Sequence, residues 1–156
     1  MLLLIRLPAP LHRALYRAAH AIRVKIWRLW RPRLDGVRIL ALDADERILL
    51  VRHSYGSDKW MPPGGGLKSG EDPVAAAVRE TLEETGCALV GARLLTVSTE
   101  ELHGSRNVVR VVRGAAGGEP RADGREIVEA RFFALDDLPQ HMPRGLAEEI
   151  RRWVAA

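Results

Sequence analysis

The sequence predicts an α/β fold: a mixed β-sheet sandwiched by helices, preceded by an amphipathic, basic N-terminal helix. Three observations predict it. β-branched, apolar stretches come in hairpin-spaced pairs, a helical stretch opening on Pro73 follows a glycine run, and an amphipathic stretch closes the chain. With 156 residues, 47% of them apolar and 28% charged, one ordinary globular domain is expected rather than a disordered chain.

In chain order, Pro8 to Trp30 reads as the first helix. Leu11, Leu15, Ala18, Ile22, Ile26 and Leu29 recur at spacings of three and four and form one apolar stripe. Arg13, Arg17, Arg28 and Arg31 lie mostly off that stripe, and Pro32 ends the helix. The stripe is expected to pack on the domain or to pair with a second copy in a homodimer. An alternative is a membrane-surface helix, because Trp27 and Trp30 stand among arginines. Nucleic acid is the least expected partner. Charge supports the division: residues 1–34 hold eight Arg or Lys and no acid, whereas the rest holds 16 basic and 20 acidic residues. Residues 1–34 are therefore read as a basic helical extension and residues 35–156 as a mildly acidic domain, so the overall charge of +4 is no sign of nucleic-acid binding by the domain.

After the break at "RPRLDG", the stretch "VRILALDADERILLVRHSY" reads as two strands joined by a turn at "DADE". A glycine loop and a Glu-bearing helix follow. "ARLLTVSTEEL" and "NVVRVVRG" form a second strand pair, "GAAGGEPRADGRE" a Gly-rich loop, and "EIVEARFFAL" the last strand. "LAEEIRRWVA" closes the chain as a helix with Leu146, Ile150 and Val154 on one side.

The Glu-bearing helix carries the chemistry. Asp72 is its N-cap, Pro73 its first residue, and Gly86 the left-handed residue that stops it. At 100° per residue, Val74, Val78, Thr81, Leu82 and Thr85 fall on one side, expected in the core. Arg79, Glu83, Glu80 and Glu84 run in an arc on the other, expected open to solvent. Like charges three and four apart repel, and one Arg faces three Glu, so a hard cation is the natural neighbour that makes the arrangement favourable.

Gly65, Glu71, Arg79, Glu80, Glu83, Glu84 and Gly86 stand at the spacing of the signature box of the Nudix hydrolases, which this segment resembles; Thr81 and Cys87 fill its two loosely apolar positions. "KWMPPGGG" before the box and "EARFFALDDLP" after it also resemble the family, over about residues 36–140. The resemblance implies a Nudix-like α/β/α sandwich for residues 35–156. It also implies metal-dependent hydrolysis of a nucleoside diphosphate linked to another group, with Glu80, Glu83, Glu84 and the Gly64 carbonyl holding two or more Mg²⁺ or Mn²⁺ ions. Arg79 is expected to orient carboxylates, and Glu71 to tie the loop to Arg79. In this family the general base varies, so Glu80, Glu83 and Glu126 all stand for that role, with Glu100 and Glu101 behind them. Gly65 and Gly66 allow close backbone approach to substrate, and Arg52 and His53 end a strand beside the glycine loop, where Arg52 is positioned to meet phosphate. Trp60 is read as a packing residue. The substrate stays open among modified nucleoside triphosphates, nucleotide sugars and dinucleotides. The rival function is a catalytically silent Nudix-like domain that binds a nucleotide to regulate.

Cys87 is the only cysteine, which excludes an internal disulfide and suits a reducing, cytoplasmic setting. "MLLLI" is too short, and lacks the flanking basic residues, to read as a signal peptide, and no apolar run approaches the length of a membrane span.

Overall fold

The structure, a computed structural model, describes residues 9–30, 34–102 and 105–156. The chain runs α1 (Ala9–Trp30), β1 (Leu34–Leu42), β2 (Ile48–His53), β3 (Gly64–Gly66), α2 (Pro73–Thr85), β4 (Ala88–Leu102), β5 (Ser105–Gly117), β6 (Ile127–Phe133) and α3 (Leu146–Ala155). The six strands form one sheet in the order β4-β5-β1-β2-β6, with β3 paired to β1 off this path. β1 and β5 are parallel and the other pairs antiparallel, so the sheet is mixed as expected.

Alternation along the strands builds the layers. Val37, Ile39 and Ala41 of β1 join Leu49, Val112, Ala76 and Ala77 in a core under α2. Leu40 and Leu42 point the other way and pack with Leu50, Val111, Leu146 and Ile150 under α3. Two buried faces on one sheet, each covered by a helix, make an α/β/α sandwich. Trp60, 8% exposed and edge-on to Phe133 at 4.9 Å, is the packing residue expected of it.

The edge of β1 is shared between two partners. β2 meets β1 at the hairpin pair Leu42 and Ile48, then pairs with β6 and, through Val51, with Met61. Asp43 builds that hairpin: its carboxylate accepts from the amides of Asp45 and Arg47 at 3.0 and 2.8 Å. The vacated edge of β1 is taken by Gly64–Gly66. The glycine run is therefore a short strand rather than the expected loop, and its backbone is held in line by the ladder. The later Gly-rich segment is also partly strand, since β5 extends through Gly114–Gly117. Strand pairing overrides composition in both places, because small residues next to an established strand leave its edge sterically open.

α1 departs furthest from expectation. Among the described side chains, its apolar stripe does not pack on the domain: Leu11, Leu15 and Ile22 are 48%, 51% and 60% exposed. The opposite face docks instead. Tyr16 stacks on Tyr55 with centroids 5.5 Å apart, His20 lies 5.3 Å from the same ring, and Arg17 Nε donates to the Ser54 carbonyl at 3.1 Å. The domain offers these polar and aromatic groups specific partners, while its own core is already closed by α2 and α3. The side chains of Arg13, Ile26, Trp27, Arg28, Leu29 and Trp30, and those of Glu100 and Glu101, lie outside the described residues, as does Arg31. No described helix is long and apolar enough to cross a membrane.

Candidate active site

α2 is set by its ends. The Asp72 carboxylate accepts from the Ala75 amide at 2.9 Å, Pro73 opens the helix, and Gly86 closes it at φ 70°. Its inner face is built from Ala76, Ala77, Thr81 and Thr85, all fully buried. The two threonine hydroxyls donate to the carbonyls four residues back, at 2.7 and 2.6 Å, which lets them be buried with their hydrogen bonds made. Val78 and Leu82, expected in the core, are 39% and 57% exposed. Small side chains allow the closer approach to the sheet, and this rotates the helix about its axis relative to the apolar count.

That rotation also carries the carboxylates inward. Glu83 stays open, with its side chain 60% exposed, while that of Glu80 is 15% exposed. Glu84 is only 6% exposed as a residue, so the arc expected to face solvent runs instead from surface to interior. Arg79 is the hub of the outer part. It donates to both Glu71 oxygens at 2.9 and 3.0 Å, to Glu80 at 2.8 Å and to Glu83 at 3.3 Å. The paired guanidinium, helped by the Lys68 amide, holds the Glu71 carboxyl down at about 2. Glu71 thus ties the loop to Arg79, as expected, and Arg79 also holds contacts to the Glu80 and Glu83 carboxylates.

The glycine strand supplies the bed. Pro63 accepts from the Ile39 amide and Leu67 donates to the Asp35 carbonyl, so alternation turns the Gly64 amide and carbonyl away from β1. The Gly64 N–H donates to Glu84 Oε2 at 3.2 Å. A Cβ on Gly64 would run into the Val37 carbonyl, and one on Gly65 into the Glu80 carboxylate, reaching its Oε1 and standing 2.6 Å from its Cδ. Gly65 therefore makes room for Glu80, and Gly66 is exposed at the end of the strand.

Burial pushes the Glu84 carboxyl up to about 8, and the neighbouring charges of Glu80 and Glu126 add to this against the Gly64 N–H. Burial likewise raises Glu80, although the Arg79 contact opposes it. Glu126, which follows the Gly-rich loop and precedes β6, is thereby brought within electrostatic reach of both box carboxylates. Asp123 sets this corner by accepting from the amides of Arg125 and Ile127 at 2.8 and 2.9 Å. Two tyrosines address the Glu126 carboxylate. Tyr55 Oη donates to Oε2 at 3.4 Å. A hydrogen bond with Glu126 is the main reason the Tyr16 hydroxyl is pushed up to about 12.

Tyr16 is a site neighbour that the sequence did not signal beyond its position as an aromatic residue off the apolar stripe of α1. His53 lies behind Tyr55, 5.7 Å from its ring; burial lowers its pKa, and its Nδ1 has no hydrogen-bond partner among the described residues. Arg52 is engaged elsewhere, paired with Glu129 at 2.7 Å with its guanidinium 5.8 Å from the centre of the Trp60 ring.

The donor set fits a hard divalent ion. Glu80 and Glu84 are both raised by burial and by neighbouring carboxylate charge that a cation would relieve, Glu83 stands open on the same helix, and the Gly64 carbonyl is outside the β1 ladder. Among the described residues no three His, Cys, Asp or Glu side chains stand already gathered as an ion cage. Mg²⁺ requires none, since it keeps several waters and takes only one or two carboxylates together with substrate phosphate.

A mixed sheet between helices, with a Glu-bearing helix bedded on a glycine strand, defines an α/β protein with a carboxylate-lined site. The comparison with protein families makes this specific: the NUDIX domain matches residues 32–156, and the chain belongs to the Nudix hydrolase family, with a domain of the pyrophosphohydrolase type. Hydrolases of this family generally use divalent ions such as Mg²⁺ or Mn²⁺ and act on nucleotide-type substrates. Among curated proteins, diphosphoinositol polyphosphate phosphohydrolase 2 of Mus musculus is 37% identical over 96 residues, covering 61% of this chain and 54% of that protein. The chain thus spans about half the length of the curated relatives it matches. Among solved structures, a MutT NUDIX hydrolase from Burkholderia pseudomallei is 31% identical with a TM-score of 0.67, covering 77% of this chain and 97% of that one. A UDP-X diphosphatase is 27% identical with a TM-score of 0.63, covering 80% and 64%.

Proposed function

We propose that this protein hydrolyses the phosphoanhydride bond of a small soluble diphosphate, a nucleoside diphosphate linked to another group, in a metal-dependent reaction. The observation that carries this reading is the seating of Glu84 on the Gly64 N–H and of Glu80 against Gly65, two buried carboxylates side by side with Glu126 within electrostatic reach. Glu80, Glu83, Glu84 and the Gly64 carbonyl are assigned to the metal ions, which when bound supply charge neutralisation to the diphosphate and its leaving oxygen. Arg79 fixes Glu80 and Glu83 so that their carboxylates are oriented before substrate arrives. Glu126 is assigned as the general base: it accepts the proton of the attacking water while the new O–P bond forms and the anhydride P–O bond breaks. The tyrosine hydroxyls on Glu126 hold its carboxylate toward the box. Gly65 and Gly66 are assigned to backbone approach of the diphosphate, and Arg52 to phosphate contact after release from Glu129.

The name of the UDP-X diphosphatase neighbour supports the nucleotide reading. That of the mouse relative favours a second substrate class, a diphosphoinositol polyphosphate. A silent, regulatory domain is disfavoured because every box carboxylate is present. The test is phosphate-releasing turnover across nucleoside diphosphate derivatives and diphosphoinositol polyphosphates, with Mg²⁺, Mn²⁺ or EDTA, beside Glu84→Gln. Metal-dependent turnover of a nucleoside diphosphate derivative, lost in Glu84→Gln, is the expected result. Turnover confined to inositol compounds would transfer the assignment to them, and metal-dependent nucleotide binding without turnover of any compound would overturn hydrolysis.

A further inference from the structure

We propose that the outward face of α1 docks the protein on an anionic lipid surface, beside the candidate active site. The inference does not rest on the substrate assigned above. α1 is amphipathic, yet it is mounted with its apolar stripe outward: Leu11, Leu15 and Ile22 are 48%, 51% and 60% exposed. Its inward face is held by side-chain contacts with specific geometry, the Tyr16–Tyr55 stack and the Arg17–Ser54 hydrogen bond. His20 also seats against Gly56, where an added Cβ would stand 3.2 Å from its Nε2. Turning the stripe onto the domain would break all three contacts. The helix is therefore presented as a ridge with its apolar side available.

Charge selects the occupant. The 22 residues of α1 include Arg13, Arg17, Arg23, Lys25 and Arg28 and no Asp or Glu. A second copy laid on the same stripe, helix against helix, would bring one wholly basic segment against another with no acid from either to offset the repulsion. An anionic bilayer offers both requirements at once, an acyl boundary for Leu11, Leu15 and Ile22 and negative headgroups for the basic residues other than Arg17, which is held by Ser54. The remainder of the chain, mildly acidic in sequence, is repelled by the same surface, which leaves α1 as the contacting element. Because Tyr16 on the opposite face of the same helix reaches Glu126, docking would place the carboxylate cluster close to the lipid surface.

The test is co-sedimentation of the full chain with vesicles of phosphatidylcholine mixed with phosphatidylglycerol, beside pure phosphatidylcholine, for wild type and Leu15→Glu/Ile22→Glu. Both substituted positions are exposed and touch none of the inward contacts, so near-UV circular dichroism is expected to be unchanged. The expected result is binding to the mixed vesicles only, reduced about tenfold or more for each apolar residue replaced. Raised salt is expected to weaken it as well, each basic residue at the surface accounting for roughly fivefold. Absence of wild-type binding to the mixed vesicles would overturn the proposal, as would equal binding by the double variant. A dimer in sedimentation equilibrium that the double variant splits would also overturn it, by assigning the stripe to a second copy.

Discussion

Replacing Gly65 by Ala adds one methyl group where the Glu80 carboxylate already stands, with the built Cβ 2.6 Å from Glu80 Cδ and 2.9 Å from Oε2. Gly65 does not need a left-handed backbone, so alanine meets no torsional penalty there, and a less flexible unfolded chain contributes about 0.4–1 kcal/mol in its favour. Overpacking opposes this with about 1–3 kcal/mol. The net cost to stability is thus small, roughly 0–2.5 kcal/mol, and a domain of this size loses about 2–4 °C of Tm for each kcal/mol. The effect on the site is larger, because Glu80 can yield only by leaving the 2.8 Å contact with Arg79 and its place on the glycine strand. Displaced ligands and lost orienting contacts typically cost 10–100-fold in metal affinity or activity. Turnover measured against Mg²⁺ concentration should therefore show the half-activating Mg²⁺ level raised ~10–100-fold, with Tm lowered by no more than about 10 °C. A Mg²⁺ dependence within twofold of wild type would refute the reasoning, since the methyl would then have been accommodated without moving Glu80.

Other outcomes follow from the same geometry. Tyr16→Phe keeps the ring stack on Tyr55 but removes the hydroxyl from Glu126. A hydrogen bond to a charged group is worth about 1.5–3 kcal/mol, so kcat should fall about tenfold or more with KM little changed; wild-type kcat would show that the Tyr16 hydroxyl does not position Glu126 for the reaction. Glu71→Gln weakens the paired contact to Arg79, and pH reads this out directly. The Glu71 carboxyl is held at about 2 against an ordinary 4.5, so its stabilisation is fully present above pH 4.5 and is lost as pH falls from there toward 2. The Tm difference between wild type and Glu71→Gln should be constant from neutral pH to about 5 and shrink below that; a difference that persists at pH 2 would contradict the assignment. His53 runs in the same direction with a different window. Its pKa is lowered by burial, so the neutral form is favoured in the fold and stability declines as pH falls below 6.5. His53→Gln should flatten that part of the Tm profile, and a profile identical to wild type would show that another group titrates there.

Much of the candidate site was legible because it is local. The ends of α2, the approach of Glu71 to Arg79 and the one-turn spacing of Glu80 and Glu84 depend on residues close in sequence, and helix geometry with cap chemistry is enough to place them. The hairpin at Asp43 and the closing helix were legible for the same reason. The layers were also foreseeable, since alternation along β1 has only one way to serve two helices.

What the sequence alone did not contain was which partner each face would find. The periodicity of α1 identified an apolar stripe, but its direction was decided by the Ser54–Gly56 segment, which offers aromatic and hydrogen-bonding partners to the opposite face. The periodicity of α2 placed Val78 and Leu82 inside, yet the short side chains of Ala76, Ala77, Thr81 and Thr85 allow closer approach, and the helix turns until Glu84 is buried against Gly64. Glu126, separated from the box by tens of residues, comes within electrostatic reach of it through the Asp123 corner, and Tyr16 meets Glu126 only because of the mounting of α1. The sequence by itself determined the elements and the chemistry of the box, because helix caps, spacing and alternation act within a few residues. Tertiary structure alone decided the graded burial of the carboxylates, the tyrosines on Glu126 and the outward stripe of α1, because burial and charge repulsion depend on surfaces that meet only when the chain is folded.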